Sequence, residues 1–233
     1  MATPFSATYS LQPPPASAAM SAASKEGSRR SSLAPTASVP DVLDRPRDKT
    51  RSVDVSRSAL QYLFAEMVSY TQGRVSGISD FERLLSTMGR RVGVRFLAMT
   101  AHRTQLASNP KKPQRETRLL KTLLWLQSTF WKAVFGAQAD SLERSTESDR
   151  SDEYMISTNT PLLSQGLSVP KEMEQLSVEA FTAGIMEGAL DALGFPARVT
   201  AHSVPTEAYP YRTTILIKLD ASVMEREAAL GGP

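Results

Sequence analysis

SVEAFTAGIMEGALDALGFPARVTAHSV, residues 177–204, is the stretch whose reading decides the fold. Ser177 supplies an N-cap, because a serine hydroxyl satisfies one of the free amides of a first helical turn. The helix runs to Leu193, Gly194 suits a left-handed C-terminal position, and Pro196 lacks the amide hydrogen needed to continue. Ala197–Val204 follows as a strand. A second strand, Tyr211–Leu219, puts Ile215, Ile217 and Leu219 on one face, with Val199 and Ala201 as candidate partners across a long-looped hairpin. Asp220 caps a short last helix, Ala221–Leu230, which Gly231 and Gly232 close.

Upstream, Leu60, Leu63, Phe64, Met67 and Val68 recur at helical spacing within about Ser56–Thr71. Ser58 with Gln61 offers a capping box, a start two residues earlier is the alternative, and Gly73 is a stop. A second helix opens on Ser79 and Glu82 as a capping box and carries Phe81, Leu84, Leu85, Met88, Val92, Phe96 and Met99 to about Thr104. Gly89 and Gly93 lie four apart on one face, where each costs up to ~1 kcal/mol of helix propensity relative to Ala. Such a cost implies a close helix crossing, either with a partner or within the chain. Residues 105–114 read as a loop around Asn109, Pro110 and Pro113. A third helix, about Glu116–Phe135, is apolar around most of its circumference and is expected at the centre, with Gly136 ending it.

A polar run follows, about Ser141–Ser151, then a strand over Asp152–Thr158 and a second short extended piece over Leu162–Val169. The element order is three helices, two strands, helix, two strands, helix, which points to an α+β architecture with an antiparallel or mixed sheet. Residues 1 to about 55 differ from the rest. They are built from Ser, Ala, Pro and scattered charges without hydrophobic periodicity, so a disordered tail is expected there and a folded domain over 56–231.

Composition narrows the chemistry. The chain of 233 residues is 41% hydrophobic and 22% charged, enough for one sizeable core. It contains no cysteine, which removes disulfides, thiolate zinc sites, a cysteine nucleophile and acylation through sulfur. The longest uncharged apolar stretch, Thr122–Trp131, is far short of the roughly 20 residues of a membrane span. No secretory leader pattern is present at the N-terminus, and a transit peptide fits less well than disorder. The net charge of +3 divides into +2 on residues 1–50 and +1 on the remainder, an unusual balance for a nucleic-acid binder.

Phosphate-loop, dinucleotide and G-x-S-x-G patterns do not occur. His102 and His202 are the only histidines, so a metal site would need carboxylates from separate elements. The acid pairs Asp152/Glu153 and Asp140/Glu143 read as solvated, and Trp125 and Trp131 read as core residues. Neither a catalytic constellation nor a cofactor motif emerges. Lys111, Lys112, Arg115 and Arg118, with Lys121, form a basic cluster that suits anionic headgroups or is a solvated loop and helix face.

Several segments in a fixed order resemble the small subunits of the trafficking protein particle (TRAPP) complex. They are Met88–Arg95 with its paired glycines, Phe130–Gly136 with Ala139 and Asp140, Ser168–Glu172, Phe181–Glu187 and Gly194–His202. The resemblance covers about residues 56–230 and implies a helical layer on a four-stranded, mainly antiparallel sheet. It also implies a non-enzymatic scaffold subunit of a heteromeric tethering assembly. That assembly promotes nucleotide exchange on a Rab GTPase in endoplasmic reticulum to Golgi traffic and in autophagy. Its implied place is the cytoplasm, peripheral to endoplasmic reticulum and cis-Golgi membranes.

In that family, pairing buries the first two helices against a sibling subunit, which makes Leu60, Phe64, Phe81, Leu85 and Met88 the candidate interface residues. A paralogue carries an acylated cysteine whose chain fills an internal channel, a feature this cysteine-free sequence does not share. The loop Pro205–Pro210, the stretch Ser141–Asp152 and the tail also depart from the family pattern. The competing reading is a small lipid-binding carrier, since a large apolar helix on a sheet can enclose a cavity.

Overall fold

A computed structural model describes residues 55–107, 116–147, 150–169 and 175–231. The expected tail and Lys111, Lys112 and Arg115 of the basic cluster lie outside the described residues, apart from Val55 at the tail's end. The elements are α1 (Arg57–Gln72), α2 (Ile78–Ala107), α3 (Leu119–Trp125), a π turn (Leu126–Phe130), α4 (Trp131–Phe135), β1 (Ser141–Arg144) and β2 (Glu153–Thr158). They continue with a 3-10 turn (Ser164–Gly166), α5 (Ala180–Leu193), β3 (Ala197–Ser203), β4 (Thr213–Leu219) and α6 (Ala221–Ala229).

The four strands form one antiparallel sheet in the order β1-β2-β4-β3. Register pairs Ile156 with Ile215, Tyr154 with Ile217, Val199 with Ile217 and Ala201 with Ile215, so one apolar face is continuous across the three longer strands. The opposite face carries polar cross-strand pairs, Ser157 with Thr214 at 3.0 Å and Lys218 with Glu153 at 3.3 Å. Helix α5 packs on the sheet through β3 and on α2 through its other side. It is therefore covered from two directions, which is why Ala180–Met186 and Gly188–Leu190 are all buried. Phe195 donates to the Leu190 carbonyl at 2.9 Å behind Gly194, which holds φ 84°.

Several expectations are corrected. The centre is α5, and the α3–α4 rod is buried on one side only: Leu119, Leu123, Leu126 and Phe130 are in the core while Leu120 and Leu124 are exposed. Its π turn lets the Gln127 carbonyl accept from the Ala139 amide at 3.1 Å, and the Gln127 amide donates back to the Ala139 carbonyl at 3.0 Å. The extended piece Leu162–Val169 is not a strand but a turn ending in the 3-10 segment, whose Ser164 amide donates to buried Glu179 at 3.1 Å. The fourth strand is β1, inside the polar run. An edge strand pairs on one side only and tolerates the charges of Ser141–Arg144, so its composition hides it.

The Ser79/Glu82 capping box is not formed. Helix α2 starts at Ile78 and extends to Ala107, and Glu82 accepts the Ser177 amide at 2.8 Å, tying α2 to the approach to α5. Ser58 lies inside α1, Ser56 being its N-cap, so the earlier of the two starts is realised.

Candidate subunit interface

Helix α1 places apolar residues on two opposite sides. Inward, Phe64 is 2% exposed and its ring lies 5.4 Å from that of Phe181, with Leu60, Met67 and Val68 partly buried beside it. Outward, Tyr62, Leu63 and Tyr70 are 78%, 59% and 50% exposed. Leu63, placed by its spacing on the buried stripe, is on the outer side. The helix is held by its N-terminal half, where Gln61 donates to the Leu162 carbonyl at 3.2 Å and Arg57 donates to Gln165.

The five interface candidates all lie on the inward side. Phe64, Phe81 and Leu85 are buried in the core of the chain itself, and Leu60 and Met88 are partly buried against it. Their burial has a simple geometric cause: the strongest periodic apolar stripe on a helix is the one its own domain uses first. Residues available to a partner lie beside the stripe, and the signal that could have found them is the excess of apolar residues on α1 over what one stripe holds.

Gly89 and Gly93 lie where α2 crosses α5. A Cβ on Gly89 would be 2.1 Å from the Phe181 carbonyl oxygen, and one on Gly93 would be 2.2 Å from that of Ile185. The crossing is reciprocal, since a Cβ on Gly184 would be 2.1 Å from the Ser86 carbonyl oxygen and one on Gly188 would be 2.3 Å from that of Arg90. Gly184 and Gly188 were missed, although they carry the same four-residue spacing. At the rim Arg90 donates to Asp191 at 2.6 Å and lies 3.8 Å from Glu187, and the hydrogen bond to Asp191 holds its guanidinium above the usual arginine range. The glycine pair thus faces an intramolecular crossing. It leaves the opposite side of α2, including Arg91, Val94 and Arg95, exposed.

Arg118, the member of the basic cluster at the start of α3, is engaged within the chain. It lies 3.2 Å from Glu227, which is 1% exposed, and donates to the Leu230 carbonyl at 3.0 Å. Glu227 also accepts the Leu119 amide at 3.2 Å, so this pair fastens α6 to the first turn of α3.

A cleft of about 500 Å³ below α1 is lined by Arg57, Gln138, Asp140, Thr158, Glu179 and Thr182, with Trp131 and Phe135 at one side. Its lining suits water or a polar group better than an acyl chain. Glu179, 5% exposed, has its carboxyl pushed above the ordinary carboxylate range by burial, partly offset by donation from the Thr182 hydroxyl and the Ser164 amide. His102 is on the exposed face of α2 and His202 lies 2.9 Å from the Thr200 hydroxyl. Among the described residues no three His, Cys, Asp or Glu side chains converge to hold a metal, and no helix is long and apolar enough to cross a membrane.

Comparison with known proteins agrees with this layout. The family model described as transport protein particle (TRAPP) component matches residues 60–220. Trafficking protein particle complex subunit 5 of Dictyostelium discoideum is 42% identical over 189 residues, covering 81% of this chain and 97% of that protein. The protein of that name from Homo sapiens is 38% identical over 190 residues, covering 82% of this chain and 91% of its own length. Among solved structures, a trafficking protein particle complex subunit 3 from Naegleria fowleri, covalently bound to palmitic acid, superposes with a TM-score of 0.58 at 17% identity over 70% of this chain and 95% of that one. That likeness concerns the fold. With the family match spanning most of the folded elements and relatives at this identity over four fifths of its length, the chain belongs to the TRAPP component family of trafficking protein particle subunits.

Proposed function

We propose that this chain is a non-catalytic scaffold subunit of a vesicle-tethering complex, with residues 56–231 as its TRAPP small-subunit domain and residues 1–55 as an appended tail. It pairs with a sibling small subunit and joins a higher assembly. The whole complex promotes nucleotide exchange on a Rab GTPase in endoplasmic reticulum to Golgi traffic and autophagy. The chain works in the cytoplasm, peripheral to endoplasmic reticulum and cis-Golgi membranes, and binds no nucleic acid.

One observation carries the reading: Tyr62, Leu63 and Tyr70 are exposed on a helix whose inner side already fills the core, with Leu63 and Tyr70 two turns apart on one face and Tyr62 flanking them. Exposed aromatic residues grouped in this way mark interfaces, and tyrosines supply large contact area at small entropic cost. The relatives' membership in a multi-subunit particle supports the same conclusion. A stable pairing would bury ~1,200 Å² or more in total.

The test is co-expression of the full chain with the other small TRAPP subunits of its organism. The Tyr62→Asp, Leu63→Asp double variant should lose at least ~2 kcal/mol of pairing free energy, about thirtyfold in affinity, with an unchanged unfolding temperature. Undiminished capture of a sibling by that variant would remove the α1 row from the interface and, with it, the reading.

A further inference from the structure

Glu179, immediately before α5, is a buried carboxyl for which the chain supplies no counter-cation. It is 5% exposed and forms no ion pair among the described residues. Two neutral donors hold it, the Ser164 amide at 3.1 Å on one oxygen and the Thr182 hydroxyl on the other. A carboxylate has about four lone-pair sites, so each oxygen keeps room for a further donor. Burial pushes its carboxyl above the ordinary carboxylate range, as a desolvated acid behaves when no positive charge compensates it.

Glu179 lies in the lining of the cleft of about 500 Å³ that Arg57 and Asp140 also border, a size suited to a small ligand. Thr158, 8% exposed, lines the same cleft, and its hydroxyl makes no hydrogen bond among the described residues. One oxygen of Asp140 accepts the Asn159 amide at 2.6 Å, which leaves the other for the cleft. The unspent capacity is therefore mostly that of acceptors, and the matching guest is rich in donors. A metal ion is poorly served, because among the described residues no three His, Cys, Asp or Glu side chains converge. An ammonium group carries three N–H donors and needs only one carboxylate with a hydroxyl or a second acid beside it. The rest of the lining is apolar: Trp131 and Phe135, with ring centroids 5.0 Å apart, and Pro161 and Leu162. Exposed Arg57, which donates to Gln165, places a positive charge at the same cleft and so disfavours a guest with a second cation.

We propose that this cleft is a binding site for a small primary monoamine, its ammonium received by Glu179, Asp140 and the Thr158 hydroxyl and its apolar stem by Trp131 and Phe135. The proposal goes beyond the scaffold reading and does not depend on it. It accounts for an ionisable side chain in a place where a hydrocarbon would otherwise be more stable, since a bound cation supplies the charge that burial leaves uncompensated.

The experiment is isothermal titration of the full chain at pH 8 with benzylamine, with benzyl alcohol as the neutral analogue and p-xylylenediamine as the dication. Benzylamine should bind saturably and at least about tenfold more tightly than benzyl alcohol, with the diamine weaker than the monoamine. Glu179→Gln should lower benzylamine affinity at least about tenfold while the chain still melts cooperatively. Arg57→Gln, on an exposed position, should improve the diamine relative to the monoamine by roughly two- to fivefold. Absence of saturable benzylamine binding, equal binding of the alcohol, or a folded Glu179→Gln chain that binds benzylamine unchanged overturns the proposal. Should Glu179→Gln fail to fold, Arg57→Gln decides: an unaltered preference between monoamine and diamine overturns it as well. Sibling capture is a separate measurement, so failure here leaves the scaffold reading where it stands.

Discussion

A methyl group added at Gly93 would sit 2.2 Å from the Ile185 carbonyl oxygen, inside the contact distance of any real Cβ. Alanine improves helix propensity by up to about 1 kcal/mol, but overpacking against backbone costs typically 1–3 kcal/mol and here meets an atom that cannot rotate away. Sterics should win: Gly93→Ala is expected to destabilise the fold by about 2 kcal/mol or more in urea unfolding. At Glu179 the argument concerns a proton. Burial raises its carboxyl above the ordinary glutamate range, so the folded chain binds that proton more tightly than the unfolded one. The contribution is therefore most favourable below about 4.5 and declines as pH rises through the folded value. Glu179→Gln keeps an acceptor for Ser164 and a polar partner for Thr182 while losing the titration. Its unfolding temperature should fall less between pH 5 and pH 8 than that of the parent chain, which a thermal melt series would show. The raised value was not legible in the sequence, where Glu179 is one residue in a helix-start pattern; burial by a distant turn creates it.

At the scale of elements, α6 depends on contacts that its own sequence does not announce. Glu227, 1% exposed, receives Arg118 and the Leu119 amide, while Arg226 donates to the Gly194 carbonyl at 2.9 Å and lies 4.5 Å over the Phe195 ring. Glu227→Ala leaves a buried amide unsatisfied and removes the carboxylate from beside Arg118, at a cost of about 1–3 kcal/mol. Loss of amide protection confined to α6 and the first turn of α3, measured by hydrogen exchange, is the expected signature. Alternating Ile215, Ile217 and Leu219 made β4 and its pairing with β3 readable, whereas β1 escaped because an edge strand need not alternate. The same logic misassigned the turn at Leu162–Val169, whose Leu163 is buried at 3% without belonging to a strand.

At the scale of the whole molecule, the inner and outer sides of α1 make opposite predictions. Phe64 supports the core and Tyr62 does not, so Phe64→Asp should unfold the chain by placing a charge beside Phe181, with loss of cooperative melting as the readout. Tyr62→Asp should melt normally. A loss of sibling capture in the first variant would therefore say nothing about pairing, while the same loss in the second would locate it.

The long helices, the β3–β4 hairpin, the paired glycines and the family membership were determined by local pattern, because helical and strand periodicities act within a few positions of one another. Which apolar side of α1 turns inward, which helix is central, and which glutamates are buried were decided only by tertiary packing. The reason is that burial is a property of the neighbours a side chain meets, and α5, wedged between α2 and the sheet, takes the inner surfaces and leaves the rest for a partner.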